Sequence, residues 1–325
     1  MPISNYPNGF PDGVSIRGVP IIQTHPGKVF WVSNVTTGLL PGQKGGSDAN
    51  KGTFNAPFST LAGALAQCVA NRGDVVLIKP GHAETITSAT ALLFNVAGVA
   101  IIGLGIGTNR PTFTFTTANT AKIPVSAANI SVQNCIFVGN FLSIATCFLL
   151  TTAPDFTVDR CAFRDTSAIL GFLSIVTTTV SVNADGLTFT NNEVQSDATT
   201  TPGPTIVIAG TIDRLTIVGN TITHSTISNN VAALLAHGAL VVSHLLCTDN
   251  TVYSVNTDTA TGGLLITTSA TTGSGIVARN RVRALDTAAA ILVTVTAVQY
   301  GMFDNTYCDS GTFTSAYLLP AVGAD

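Results

Sequence analysis

Charge is the scarcest property of this chain. Asp, Glu, Lys and Arg make up 10% of its 325 residues, against roughly 25% in an average soluble domain. The net charge is −3 and no cluster of Lys or Arg occurs, which argues against nucleic acid as a partner. No segment reaches 18 uninterrupted apolar residues, so no membrane span is read. The stretch Met1 to Phe10 has neither a basic start nor an apolar run, so no secretory signal is expected. The six cysteines (Cys68, Cys135, Cys147, Cys161, Cys247, Cys308) include no C-x-x-C pair, and a reducing cytoplasm is the expected place of synthesis. There is no G-x-S-x-G, H-E-x-x-H, P-loop or Ca²⁺-binding glycine-aspartate repeat. Gly103-Leu-Gly105-Ile-Gly107 is glycine-rich, but it follows a strand pattern and no helix follows it, so it fails as a phosphate loop.

What the chain does have is a repeat. Seven segments share one pattern: Ile130 to Phe137, Phe156 to Phe163, Leu187 to Val194, Leu215 to Ile222, Leu245 to Val252, Gly275 to Val282 and Tyr300 to Tyr307. Aligning Cys135, Cys161, Asn192, Asn220, Asn250, Asn280 and Asn305 gives steps of 26, 31, 28, 30, 30 and 25 residues. In each segment about five positions alternate between apolar and small polar residues, as in a strand with one face on a core. A bend follows, and a short apolar stretch resumes after it. Asn tolerates left-handed backbone angles and bonds nearby backbone, which suits the bend. Stacked coils set Asn192, Asn220, Asn250, Asn280 and Asn305 above one another as a structural ladder, each amide donating to the next coil's carbonyl and so satisfying polar groups inside the bend. Further apolar stretches between the segments give about three strands per coil. A solenoid explains a repeat near this length; a β-sandwich of Thr-rich strands does not. Cys135 and Cys161 replace Asn at the ladder position, where they read as small buried thiols.

The ladder of Asn at a strand-to-strand bend resembles that of right-handed parallel β-helix proteins, the group that includes pectate lyases and phage tailspikes. The likeness covers roughly Asp74 to Tyr307 and, through the order helix, Gly-Asp-strand, Pro-Gly-His, reaches back to about Pro57. It implies an all-β solenoid and says little about activity, because one fold hosts many functions.

Three regions are expected. Residues 1–45 read as an extended arm, with Pro at 2, 7, 11, 20, 26 and 41 breaking regular structure. Its apolar residues Tyr6, Phe10, Val14, Ile16, Val19, Ile21, Phe30 and Trp31 require a surface to lie on: its own rod, a sister subunit or another protein. Residues 46–73 read as a polar loop and an amphipathic capping helix from Phe58 to Ala70, with Leu61, Leu65, Cys68 and Val69 on one face and Ser59 or Thr60 as N-cap. Such a cap covers the open end of a solenoid. Residues 74–325 form the β-helix, with Gly73 to Ile86 as first coil and too few residues after Tyr307 for a C-terminal trimerisation domain.

No catalytic, metal or cofactor site emerges. Hydrolysis of a glycosidic bond needs two carboxylates roughly 5–10 Å apart, and the two columns before the ladder do not set acids in adjacent coils; Arg279 stands between Asp249 and Asp304. Asp304 and Asp309 are a loose pair. His237 reads as a buried or turn histidine, and His82 with Glu84 lacks a third metal ligand. Trp31 is the single tryptophan and is assigned to packing, since sugar-binding grooves usually need several aromatic platforms. Arm and cap together (Asn5 to Phe10, Val14 to Pro20, Pro26 to Trp31, Gly46 to Asp48, Lys51 to Phe54, Pro57 to Thr60) resemble β-helix proteins of tailed-phage virions. The resemblance implies a non-enzymatic head decoration, or cement, protein: a homotrimer on the capsid exterior, its arm stapled to the major capsid protein. A tailspike or receptor-binding β-helix that recognises or cleaves host surface polysaccharide is the alternative, and an exported bacterial surface β-helix a third.

Overall fold

Alternating inward and outward residues, repeated every 25 to 31 positions, build a right-handed parallel β-helix. The computed structural model describes residues 27–180, 183–197, 203–224, 234–254, 263–268, 272–283, 291–293 and 299–308, with short strands at 15–16, 19–20 and 317–318. Three parallel sheets run along the rod. The first opens with Val29–Val32, Val75–Ile78 and Ala100–Gly103 and continues through one strand of each repeat to Gln299–Phe303. The second follows the ladder bend, from Ala83–Ile86 to Thr306–Cys308. The third runs from Ile123–Val125 to Ile291–Val293.

Register sets like side chains on like. In the first sheet Val132, Val158, Phe189, Ile217, Cys247 and Val277 pair in succession, all pointing into the core. In the second sheet Phe113, Phe137 and Phe163 pair in the same way, with ring centroids 5.5 and 5.2 Å apart and planes 20° and 14° from parallel. Phe148 of the third sheet meets Phe137 edge-on at 5.1 Å and 74°. Each buried ring contributes about 1.5–3 kcal/mol of transfer free energy, and each aromatic pair about 0.5–1.5 kcal/mol more.

The bend between the first two sheets takes two residues with separate tasks. The left-handed conformation expected of the ladder Asn belongs instead to the residue before it: Asn134, Arg160, Asn191, Gly219, Asp249, Arg279 and Asp304 have φ between 52 and 71°. The Asn that follows turns its amide into the rod. Asn192, Asn220, Asn250, Asn280 and Asn305 donate from Nδ2 to the carbonyls of Val158, Phe189, Ile217, Cys247 and Val277 at 2.8–3.0 Å. Their Oδ1 atoms accept from the backbone N–H of the ladder residue one coil earlier, Cys161 through Asn280, at 2.8–3.1 Å. All five are buried. Cys135 and Cys161 are free buried thiols; burial pushes the Cys161 thiol up to about 12.

The helix at the end of the rod is shorter than its pattern, Leu61–Leu65. Thr60 is the N-cap and its Oγ1 accepts from Gly63 N at 2.9 Å. Asp48 holds the entry, accepting from the backbone and hydroxyl groups of both Ser59 and Thr60. The helix stops because the N–H groups of Gln67 and Cys68 bond three residues back and that of Val69 is taken by the Asp74 carboxylate at 2.8 Å. Leu61, Ala64 and Leu65 are buried, whereas Val69, expected on the same face, is 49% exposed. Asp74 is fully buried and also accepts from Lys28 N and the Arg72 guanidinium. Burial opposes its ionisation, but these donors prevail and hold the carboxyl down at about 2.

Phe30 and Trp31, expected in a partner-binding arm, lie in the first strand of the first sheet, paired in register with Val76 and Leu77. Ile16 and Val19 fall in a short antiparallel pair, Ser15–Ile16 with Val19–Pro20. Tyr6, Phe10, Val14 and Ile21 lie outside the described residues.

The ladder yields the first prediction. Asn250→Ala strands the Ile217 carbonyl and the two amide donors of Asn220 that end on Asn250 Oδ1. An unsatisfied buried polar group costs about 1–3 kcal/mol, so the midpoint of urea unfolding is expected to fall by a matching amount. Asn250→Asp is expected to lose at least as much, since a carboxylate cannot donate to Ile217.

Candidate functional site

The outward residues of the first coils line a cleft at the capped end of the rod. Phe30 and Val32 point into the core, so Trp31 between them points out. The loop after it folds back to pair Trp31 N with Gly52 O at 2.8 Å. That contact brings Phe54 against the indole, with centroids 4.9 Å apart and planes at 84°. Phe54 remains 49% exposed. Lys79, just beyond the Val75–Ile78 strand, donates to Phe54 O at 2.6 Å and sits 4.1 Å from the centre of its ring. The cleft between these groups has a volume of about 350 Å³ and is also lined by Ser33, Gln43 and Lys44. That size is typical of a site for a small organic molecule. Its lining holds two lysines and no carboxylate, in a chain whose net charge is negative. Burial lowers the Lys79 ammonium below the usual lysine range.

The other polar residues singled out in the sequence are engaged in the scaffold. His82 is buried; its Nδ1 lies 3.2 Å from the Asn34 N–H and accepts from it, which leaves Nε2 to donate to Glu84 at 3.1 Å. Glu84 also accepts from Leu61 N at 2.9 Å, so the pair ties the cap to the first coil. His237 donates from Nδ1 to Leu240 O at 2.8 Å, and its Nε2 faces the Tyr300 hydroxyl at 3.2 Å. Burial holds its imidazole below the ordinary histidine value. Among the described residues no group of three or more His, Cys, Asp or Glu is placed to hold a metal ion. Asp249 is bound two-pronged by Arg279 at 2.7 and 2.8 Å. Asp309 lies outside the described residues.

Asp165, which the sequence reading passed over, closes the second-sheet strand Ala162–Asp165. It accepts from Phe172 N at 3.0 Å, Ser196 Oγ at 2.8 Å and Asp197 N at 3.1 Å. Burial pushes its carboxyl up to about 6, against these donors, and the charge of Asp197 adds to the rise. A carboxyl titrating there is in the range of a general acid. The cavity beside it, lined also by Ser174 and Thr205, has only about 10 Å³, room for about one water molecule. No sugar ring fits, so Asp165 acts as a staple between coils.

No family model matches this chain, and no curated protein does. Among solved structures, a pectin methylesterase in complex with a hexasaccharide is similar over 88% of this chain and 91% of its own, at 12% identity and a TM-score of 0.47. A rhamnogalacturonan lyase matches over 80% and 70%, at 15% identity and a TM-score of 0.36. A lacto-N-biosidase from Eubacterium ramulus matches over 87% and 68%, at 11% identity and a TM-score of 0.35. These matches correct the expectation of a bacteriophage virion protein: the structures found are carbohydrate-active enzymes, and the capsid decoration role and the expectation of a non-enzyme are set aside with it. At these identities the likeness is one of fold.

Asp165 predicts how stability varies with pH. Its folded value lies above the unfolded one, about 3.9, so between about pH 4 and pH 6 the folded chain holds a proton that the unfolded chain has released. Stability from this group is therefore full below about pH 4 and is lost as pH rises to about 6, by up to roughly 3 kcal/mol. Urea unfolding at pH 4.5 and pH 7 is expected to show this loss in the native protein and a smaller one in Asp165→Asn.

Proposed function

We propose that this chain is a polysaccharide-recognising β-helix that holds an anionic saccharide in the Trp31–Phe54 cleft. The observation that carries this reading is the pairing of two accessible aromatic rings with two lysines and no acid around one cavity. A pyranose ring presents C–H groups on its faces and hydroxyls on its rim. The rings of Trp31 and Phe54 offer apolar, polarisable surface to the first, and Ser33 and Gln43 offer hydrogen bonds to the second. A carboxylate or sulfate on the sugar neutralises Lys44 and Lys79 at the point where solvent is displaced, and charge-assisted hydrogen bonds are about twice as strong as neutral ones. Sugar-binding surfaces built from several aromatic platforms are not required if one cleft combines rings with charge.

Trp31 is the single tryptophan of the chain, so its fluorescence reports on this cleft alone. Titration with a galacturonate hexamer is expected to shift or quench that emission, with binding that weakens as salt rises. Cellohexaose, the neutral control, is expected to bind more weakly. Phe54→Ala and Lys79→Met are each expected to weaken the anionic ligand about tenfold, or ~1.4 kcal/mol. No emission change with either saccharide, or a preference for the neutral one, would overturn the reading.

A further inference from the structure

A second bend column, before the first-sheet strands, carries an exposed constellation of charged and titratable side chains. The residues that enter these strands are Asn129, Asp155, Gly186, Arg214 and His244, all with φ between 50 and 76°. Asn, Asp and Gly take such angles at low cost, and Arg takes them at the ladder bend too, at Arg160 and Arg279. The strand pair Ile212–Asp213 and Val242–Ser243 runs in parallel register, which sets Arg214 and His244 one above the other. His244 reaches back one coil, and its Nδ1 lies 2.5 Å from Asp213 Oδ1. Asp213 in turn has its own N–H on Asp185 Oδ1 at 2.8 Å, which anchors the strand that presents the carboxylate. Arg214 lies 3.6 Å from Asp213 Oδ2 and 3.5 Å from Asp155 Oδ1. The His244 main-chain N–H is held by Ser274 Oγ of the next coil at 3.1 Å.

This geometry orders the imidazole. An aspartate accepting from Nδ1 selects the tautomer whose Nε2 is a base, the arrangement by which an acid orients a catalytic histidine. The His244 side chain is 74% exposed, so Nε2 is open to solvent and substrate. Arg214, 59% exposed, places a permanent cation on the same face.

We infer that Asp213, His244 and Arg214 form a hydrolytic site for carboxylic esters, with His244 as general base and Asp213 as the residue that positions it. The site stands apart from the Trp31 cleft and does not depend on that reading. His244 Nε2 takes a proton from a water molecule, whose oxygen adds to the ester carbonyl carbon. The carbonyl oxygen becomes an oxyanion facing the Arg214 guanidinium. Collapse of this intermediate breaks the bond to the alkoxy oxygen, which leaves with the proton held on Nε2. The products are a carboxylic acid, ionised in solution, and an alcohol. No metal, oxidant or second substrate is needed. Alkyl and acyl esters suit a single histidine base; amides, with their poorer leaving group, do not.

The test is hydrolysis of p-nitrophenyl acetate by the full chain, compared with free imidazole at equal concentration. The protein is expected to exceed imidazole at least 100-fold per site, to saturate with substrate, and to lose this excess in His244→Gln. Asp213→Asn is expected to lower kcat more than tenfold with KM little changed, and to remove the downfield Nδ1 proton signal in NMR. A merely structural ion pair would lose that signal in Asp213→Asn but leave kcat unchanged. Both side chains are solvent-exposed, so retention of fold is checked by the unfolding midpoint. A rate no greater than that of imidazole, or one unchanged in His244→Gln, overturns the proposal.

Discussion

The hydrogen bonds inside the ladder bend are the constraint on which the rest of the rod depends. A parallel coil must reverse direction several times per turn, and each reversal takes backbone groups out of the sheet. At this bend water cannot reach them, because the core is packed with aromatic and branched side chains up to the ladder itself. Asn is the residue whose one side chain both donates and accepts over the spacing between coils. Its Oδ1 serves the coil before it, and its Nδ2 serves a carbonyl in that same coil. Each rung is thus fastened to its neighbour, and stability accumulates along the axis as a sum of interfaces.

With the inside closed in this way, the outer face is released from structural duty. The outward positions of the first sheet and the residues that enter its strands tolerate varied chemistry, since their side chains point to solvent. Two groupings there bear on function. One gathers Trp31, Phe54 and Lys79 at the capped end; the other stacks Asp213, Arg214 and His244 in neighbouring coils. The low overall charge sharpens both, because few other ions compete for the field at these sites.

The repeat was legible because core facing imposes a period of two within each strand and the bend imposes one Asn per coil. The Asn side chains stack, but each amide donates to a carbonyl of the coil before it, where the sequence suggested the coil after. The backbone of the bend was not legible, because a left-handed position tolerates Gly, Asn, Asp and, in this rod, Arg, so the residue before the Asn gave no consistent letter. The end of the capping helix was hidden for a different reason: Asp74, remote from the helix pattern, takes the Val69 N–H. The column that carries Asp155, Arg214 and His244 immediately precedes the aligned segments, so its spacing is as regular in the sequence as that of the ladder.

Linear order alone determined that this chain winds into a charge-poor β-helix, that Asn stacks on Asn, and that a helix covers its first end, because each of these follows from local periodicity repeated many times. Which outward residues meet was decided only by tertiary structure. Trp31 and Phe54 come together through a loop pairing, and Asp213 and His244 through the register of two coils. Register and loop closure depend on every coil beneath them, and no single stretch of sequence carries that information.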